Sequence, residues 1–112
     1  MNREIKFRAW DELQKKMFPV LEMKLVINIP NMILLQFTGL KDKNEVEIYE
    51  GDIVRSDKGG LGKIFWDKEG ARFKVEWYKE DKFTHLELLV EACEVIGNIY
   101  ENPELLTQNQ DD

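Results

Sequence analysis

Hydrophobic and polar positions alternate with a period of two along most of this chain, which is the spacing of half-buried β-strands. From Glu4 to Trp10, Ile5, Phe7 and Ala9 share one face while Glu4, Lys6 and Arg8 share the other. The polar stretch Asp11 to Lys16 reads as a turn. Met17 to Asn28 reads as one long strand or two short ones; Pro19 cannot donate to a ladder and so marks an edge or a break. Ile29-Pro30-Asn31 interrupts the chain again. Met32 to Phe37 is a short apolar run, the pattern of a strand buried on both faces.

From Thr38 onward the punctuation is regular. Thr38-Gly39 and Asp42-Lys43-Asn44 bracket a loop, then Val46, Ile48 and Tyr49 lead into Glu50-Gly51-Asp52. Ile53 and Val54 open a strand that ends at the glycine-rich Ser56 to Gly60. Gly62 to Asp67 and Ala71 to Tyr78 form a hairpin around Lys68-Glu69-Gly70, with Gly70 expected at the positive-φ position of a three-residue loop. Phe73, Val75 and Trp77 face one way in it, and Arg72, Lys74 and Glu76 the other. Phe83 to Val90 is mixed, leaving a strand or a helical turn around Leu88 to Cys93 both open. Glu94 to Tyr100 is the last strand, with Gly97 at a bulge or a close backbone approach. Asn102-Pro103-Glu104 has the residue types of a helix start: a cap, a proline at the first position and an acid at the positive dipole end.

Short strands at regular spacing with no long helix predict a mainly β fold, a small barrel or sandwich. With 112 residues, 43% of them hydrophobic and 11% aromatic, one core is expected without crosslinks. A single cysteine, Cys93, allows no internal disulfide. The longest apolar stretch, Lys24 to Phe37, is broken by Asn28, Pro30, Asn31 and Gln36 and falls short of a spanning helix. The expectation is a cytoplasmic protein with no membrane contact. A net charge of −6 argues against a duplex binder, which needs a basic face to displace counterions. A local basic patch, Arg3, Lys6 and Arg8 with Lys15 and Lys16, keeps nucleic acid as the alternative partner class.

The inventory for catalysis is thin. Ser56, His85 and Cys93 are each the only residue of their kind, and no nucleophile-elbow sequence surrounds Ser56. Too few Cys and His are present for a zinc site, so no metal, no cofactor and no catalytic residue is assigned. Asp42-Lys43-Asn44-Glu45 resembles a calcium loop only at its start and reads as a turn. Neighbouring carboxylates occur at Glu50 and Asp52 and at Glu45 and Glu47, as expected with 22 acidic residues. Gly59-Gly60-Leu61-Gly62 lacks the Lys-Ser/Thr of a phosphate loop. Exposed aromatics are the remaining signal for binding, and Arg8, Trp10, Tyr49, Tyr78 and Tyr100 form the candidate interaction surface.

Three stretches carry a family resemblance: Arg3 to Asp11; Gln36 to Asn44 running on to Ile48-Tyr49-Glu50-Gly51-Asp52-Ile53-Val54; and Glu94 to Leu106. Together, and in this order, they resemble the YopX family of bacteriophage and prophage proteins. The resemblance implies a β-rich fold whose later part is similar to an SH3-type barrel; with the residue patterns, the expected single domain has an N-terminal β segment over residues 1–37, an SH3-type roll over 38–106 with a short helical turn at Pro103 to Leu106, and a polar, frayed tail over 107–112. It implies no activity and no catalytic residues. Glu45 departs from the family pattern, which often has glycine there, so Asn44 is expected to carry any positive φ. The functional expectation is a non-enzymatic phage accessory protein that binds a host or phage protein, with self-association open through an edge strand.

Overall fold

The computed structural model describes residues 4–21 and 29–107. It is mainly β, with nine strands and no α-helix among the described residues. Arg3, the part of the Met17 to Asn28 strand reading on residues 22–28, and the tail from 108 lie outside the described residues.

Four strands form the first sheet: β1 (Phe7–Asp11), β2 (Lys16–Pro19), β3 (Met32–Lys41) and β4 (Glu47–Tyr49), in the order β2-β1-β3-β4. The turn between β1 and β2 is held by Asp11, whose Oδ1 accepts the Leu13 and Gln14 N–H groups at 2.9 and 3.1 Å. Among the described residues β2 is an edge strand, and Pro19 is its last residue, where its missing N–H costs no ladder bond. β3 is longer than its apolar run predicts. Thr38 and Gly39 continue the strand instead of opening a loop, because a register shift between Phe37 and Lys41 absorbs Gly39 at φ 87°. The division after Phe37 therefore falls inside β3.

The second sheet contains β5 (Asp52–Ser56), β6 (Leu61–Asp67), β7 (Arg72–Trp77), β8 (Phe83–His85) and β9 (Cys93–Asn98), in the order β8-β7-β6-β5-β9. β5 to β8 form a meander. Two 3₁₀ turns, Leu86–Leu88 and Val90–Ala92, then carry the chain back so that β9 pairs with β5. Both readings of Phe83 to Cys93 are thus partly realised. The β6–β7 loop corrects the expectation for Gly70: Asp67 pairs with Arg72, four residues intervene, and Ala71 takes the left-handed conformation at φ 53°.

The core lies on the inner face of this sheet. Val54, Ile64, Phe73 and Val75 alternate inward and meet Ile48, Leu86 and Cys93. Gly97 is both a bulge and a close approach: Ile53 pairs with Gly97 but Val54 with Val95, and a Cβ on Gly97 would stand 2.6 Å from Asn102 Oδ1. Pro103–Leu106 is a 3₁₀ turn with proline at its start, but Asn102 does not cap it. Its side chain reaches back to accept the Asn98 N–H at 3.1 Å, and buried Asn98 organises the corner by accepting from Tyr100 and Glu101.

Two buried carboxylates join the pieces. Asp42 is 3% exposed; its Oδ1 accepts the Asn44 and Val46 N–H groups at 2.8 and 2.9 Å, and its Oδ2 accepts the Val95 N–H at 2.8 Å. This side chain covers the outer edge of β9, where a backbone donor would otherwise be buried unpaired. Within the loop that it holds, Glu45 and not Asn44 adopts positive φ, at 67°. Asp52 makes the second junction, described next.

Candidate functional site

Two cations on the polar side of the first strand segment, Lys6 just before β1 and Arg8 within it, are half-buried and engaged by acids and rings. Lys6 bonds Glu47 and lies 4.8 Å from the centre of the Phe37 ring; Arg8 bonds buried Asp52 and lies 4.4 Å from the centre of the Tyr49 ring. Phe37 and Tyr49 touch at 5.4 Å, and Trp10 meets Tyr100 at 5.8 Å. The result is a ladder of cations and aromatics that joins β1 to β3, β4, β5 and the turn after β9. Period-two patterning puts Lys6 and Arg8 on the polar side because it reports one strand at a time; Glu47 of β4 and Asp52 of the second sheet supply the acids that engage them.

Four of the five expected surface residues, Arg8, Trp10, Tyr49 and Tyr100, converge in this ladder. Trp10 is 4% exposed and serves the core, which corrects its assignment to a contact surface. Burial raises the hydroxyl pKa of both Tyr49 and Tyr100. Tyr78 stands apart at the end of β7, with Lys79 Nζ 5.6 Å from its ring centre, in a groove whose other walls are largely charged.

The acids and nucleophiles occupy structural positions. Asp52 Oδ2 accepts the Tyr49 N–H at 2.8 Å. Burial pushes its carboxyl up to about 6, against the pull of the Arg8 guanidinium and the Tyr49 N–H, both of which favour the charged form. Glu50, its neighbour in sequence, is turned towards the Gln36 N–H, and Glu47 is held by Lys6. Cys93 is fully buried in the core, and burial pushes its thiol up to about 11. His85 lies on β8 with Nδ1 2.7 Å from Arg72 Nη1. Among the described residues no three His, Cys, Asp or Glu side chains cluster as metal ligands do.

One concave site with aromatic walls includes none of the five expected surface residues. A groove of about 570 Å³ opens between the bulged end of β3 and the tip of the β6–β7 hairpin. Phe37 and Leu40 line one wall, Trp66 and Phe73 the other, and Leu86 closes one end. Trp66 meets Phe73 edge to face at 4.9 Å yet stays 42% exposed. Glu4, Lys41, Arg72 and Glu87 stand at the rim, a balanced set of charges. The available signal was positional: Trp66 shares the inward face of β6 with Gly62 and Ile64 but sits at the hairpin tip, where the core ends.

The family model described as YopX protein matches residues 20–107. Among solved structures, the crystal structure of protein EF1440 from Enterococcus faecalis is similar over 94% of this chain and 99% of that chain, with 29% sequence identity and a TM-score of 0.67. No curated protein matches.

Proposed function

The chain belongs to the YopX protein family, and on that premise we propose that it is a phage or prophage accessory protein that binds another protein without catalysing a reaction. The observation that carries this reading is the groove walled by half-exposed Trp66 beside Phe73. An aromatic held rigid at the edge of a core is the type of residue around which protein contacts concentrate their energy. The polar rim is of the kind that surrounds such anchors. The return of β9 beside β5 after a four-strand meander supports the SH3-type roll implied by the resemblance. A non-catalytic role accords with the engagement of Asp42 by three backbone donors and of Asp52 by Arg8. The same acids already pair with Lys6 and Arg8, two cations of the basic patch, which favours a protein partner over nucleic acid. The place of action is the cytoplasm of a bacterial host; no helix among the described residues is long and apolar enough to cross a membrane.

The test is affinity capture from lysate of the phage-carrying host, read by mass spectrometry, with wild type, Trp66→Ala and the exposed-rim variant Lys41→Glu as baits. A protein retained saturably by wild type and weakened by both variants is the expected result. Absence of any saturable protein, or equal retention by all three baits, would refute the groove as the binding site.

A further inference from the structure

We propose that His85 is a proton-operated latch on the rim of the Trp66 groove, a role that rests on the groove being the binding site proposed above. His85 is the last residue of β8 and stands directly before Leu86, which closes one end of the groove. Its Nδ1 lies 2.7 Å from Arg72 Nη1, and its Nε2 lies 3.5 Å from the same atom. A guanidinium carries only donors, so His85 Nδ1 is the acceptor and the ring proton belongs on Nε2. In this arrangement His85 is neutral. Glu87 places its Oε1 3.9 Å from the same Nδ1, too far for a hydrogen bond. One ring nitrogen therefore holds a cation and stands close to an acid, and both Arg72 and Glu87 belong to the groove rim. The remaining charge near His85 among the described residues is Lys74, its register partner on β7, whose Nζ is engaged 2.7 Å from Asp67 of β6.

A proton taken from solvent can enter the ring only at Nδ1, the nitrogen that accepts from Arg72, and an imidazolium has no acceptor left. The contact with Arg72 then breaks, because donor would face donor and cation would face cation. The new Nδ1–H is drawn to Glu87 as a charge-assisted bond, so the acid replaces the guanidinium as the partner of His85. Histidine is the side chain whose ordinary charge change falls between about pH 5 and about pH 8, which makes the exchange reachable without unfolding. The rim holds two acids, Glu4 and Glu87, against two bases, Lys41 and Arg72. Protonation neutralises Glu87 and releases Arg72, so the balanced rim becomes positive. Arg72 directly precedes Phe73, which meets Trp66 edge to face at 4.9 Å, so its release alters the wall that carries the half-exposed indole.

NMR of the full chain labelled with nitrogen-15 and 5-fluorotryptophan, from about pH 5 to about pH 8.5, tests the latch. The one histidine gives one set of ring signals. Arg72→Lys and Trp66→Phe assign the other two reporters. At high pH, Nδ1 should resonate as an unprotonated nitrogen and the Arg72 guanidinium protons should exchange slowly with water. On acidification that protection should be lost and the Trp66 fluorine signal should shift, both with the midpoint of the His85 ring. His85→Gln, which offers a neutral acceptor but takes no proton, should keep Arg72 protected across the range. A proton on Nδ1 at high pH, Arg72 protection that survives the titration, or the same loss in His85→Gln would overturn the latch. A Trp66 signal that ignores the titration would overturn its link to the groove. None of these readings depends on what the Trp66→Ala and Lys41→Glu baits retain, so the latch and the groove fail separately.

Discussion

Replacing Asp42 by asparagine changes one oxygen to an NH2 group and should cost about 3 kcal/mol. Asp42 is nearly fully buried and accepts three backbone N–H groups, two on Oδ1 from its own loop and one on Oδ2 from Val95 in β9. The amide oxygen of asparagine can keep the Asn44 and Val46 donors, although a neutral acceptor is weaker than a charged one by about 1 kcal/mol across the two. The new NH2 then faces the Val95 N–H, donor against donor, and an orphaned buried donor costs about 2 kcal/mol. Against a total stability of about 5–15 kcal/mol this is a large fraction, and it corresponds to a melting point lower by about 10–20 °C. Asp42→Ala, which orphans all three donors, should cost more. Urea denaturation gives the free energies, and amide exchange of Val95 reports the junction itself. The exposed acid Asp57, paired with Lys43 at 2.6 Å, supplies the control: Asp57→Asn should change stability by less than about 1 kcal/mol. A loss below about 1 kcal/mol for Asp42→Asn, or a Val95 amide protected as in wild type, would refute the assignment of Asp42 as the closure of the β9 edge.

Further outcomes follow from backbone strain, close packing and ionisation. Glu45 is exposed at φ 67°, so Glu45→Gly should relieve about 1 kcal/mol of left-handed strain, part of it offset by unfolded-chain entropy; a lower melting point in the variant would contradict this. Gly97→Ala puts a Cβ 2.6 Å from Asn102 Oδ1 and should cost about 1–3 kcal/mol in chemical denaturation, with loss of the Asn102 bond to the Asn98 N–H. Asp52 has a folded-state pKa raised from 3.8 to about 6, so the folded protein binds the proton more tightly than the unfolded chain. Its contribution is fully present below about pH 4 and is lost as pH rises through about 6, a change of about 3 kcal/mol. Asp52→Asn should remove that dependence, so its stability relative to wild type improves between pH 4 and pH 7. A difference that does not vary with pH would show that Asp52 titrates alike in both states.

The candidate site was less legible than the fold, and Arg8 and Trp66 show why. Alternation places Arg8 on the polar side of β1, correctly as geometry, yet that side meets Tyr49 of β4 and, across the junction between sheets, Asp52. Trp66 continues a core-facing column but emerges at the hairpin tip, where the opposing wall comes from β3, more than twenty residues earlier. Exposure of an aromatic depends on what stands opposite it, and that partner is remote in sequence.

Local patterning by itself determined the mainly β class, the β6–β7 and final strands, and the turns at Asp11, Asp42 and Gly51, and it left Pro19 as an edge or a break. These follow from side-chain period, missing donors and turn chemistry, all of which act within a few residues. Tertiary structure alone decided that β3 runs on through Gly39, that Ala71 and Glu45 bear the positive φ, and that Asn98 holds the last corner. It also decided that the charged face of β1 is a joint and not a surface. Each of these depends on which distant donor, acid or ring meets the residue once the two sheets come together, and burial then sets the cost of leaving that group unpaired.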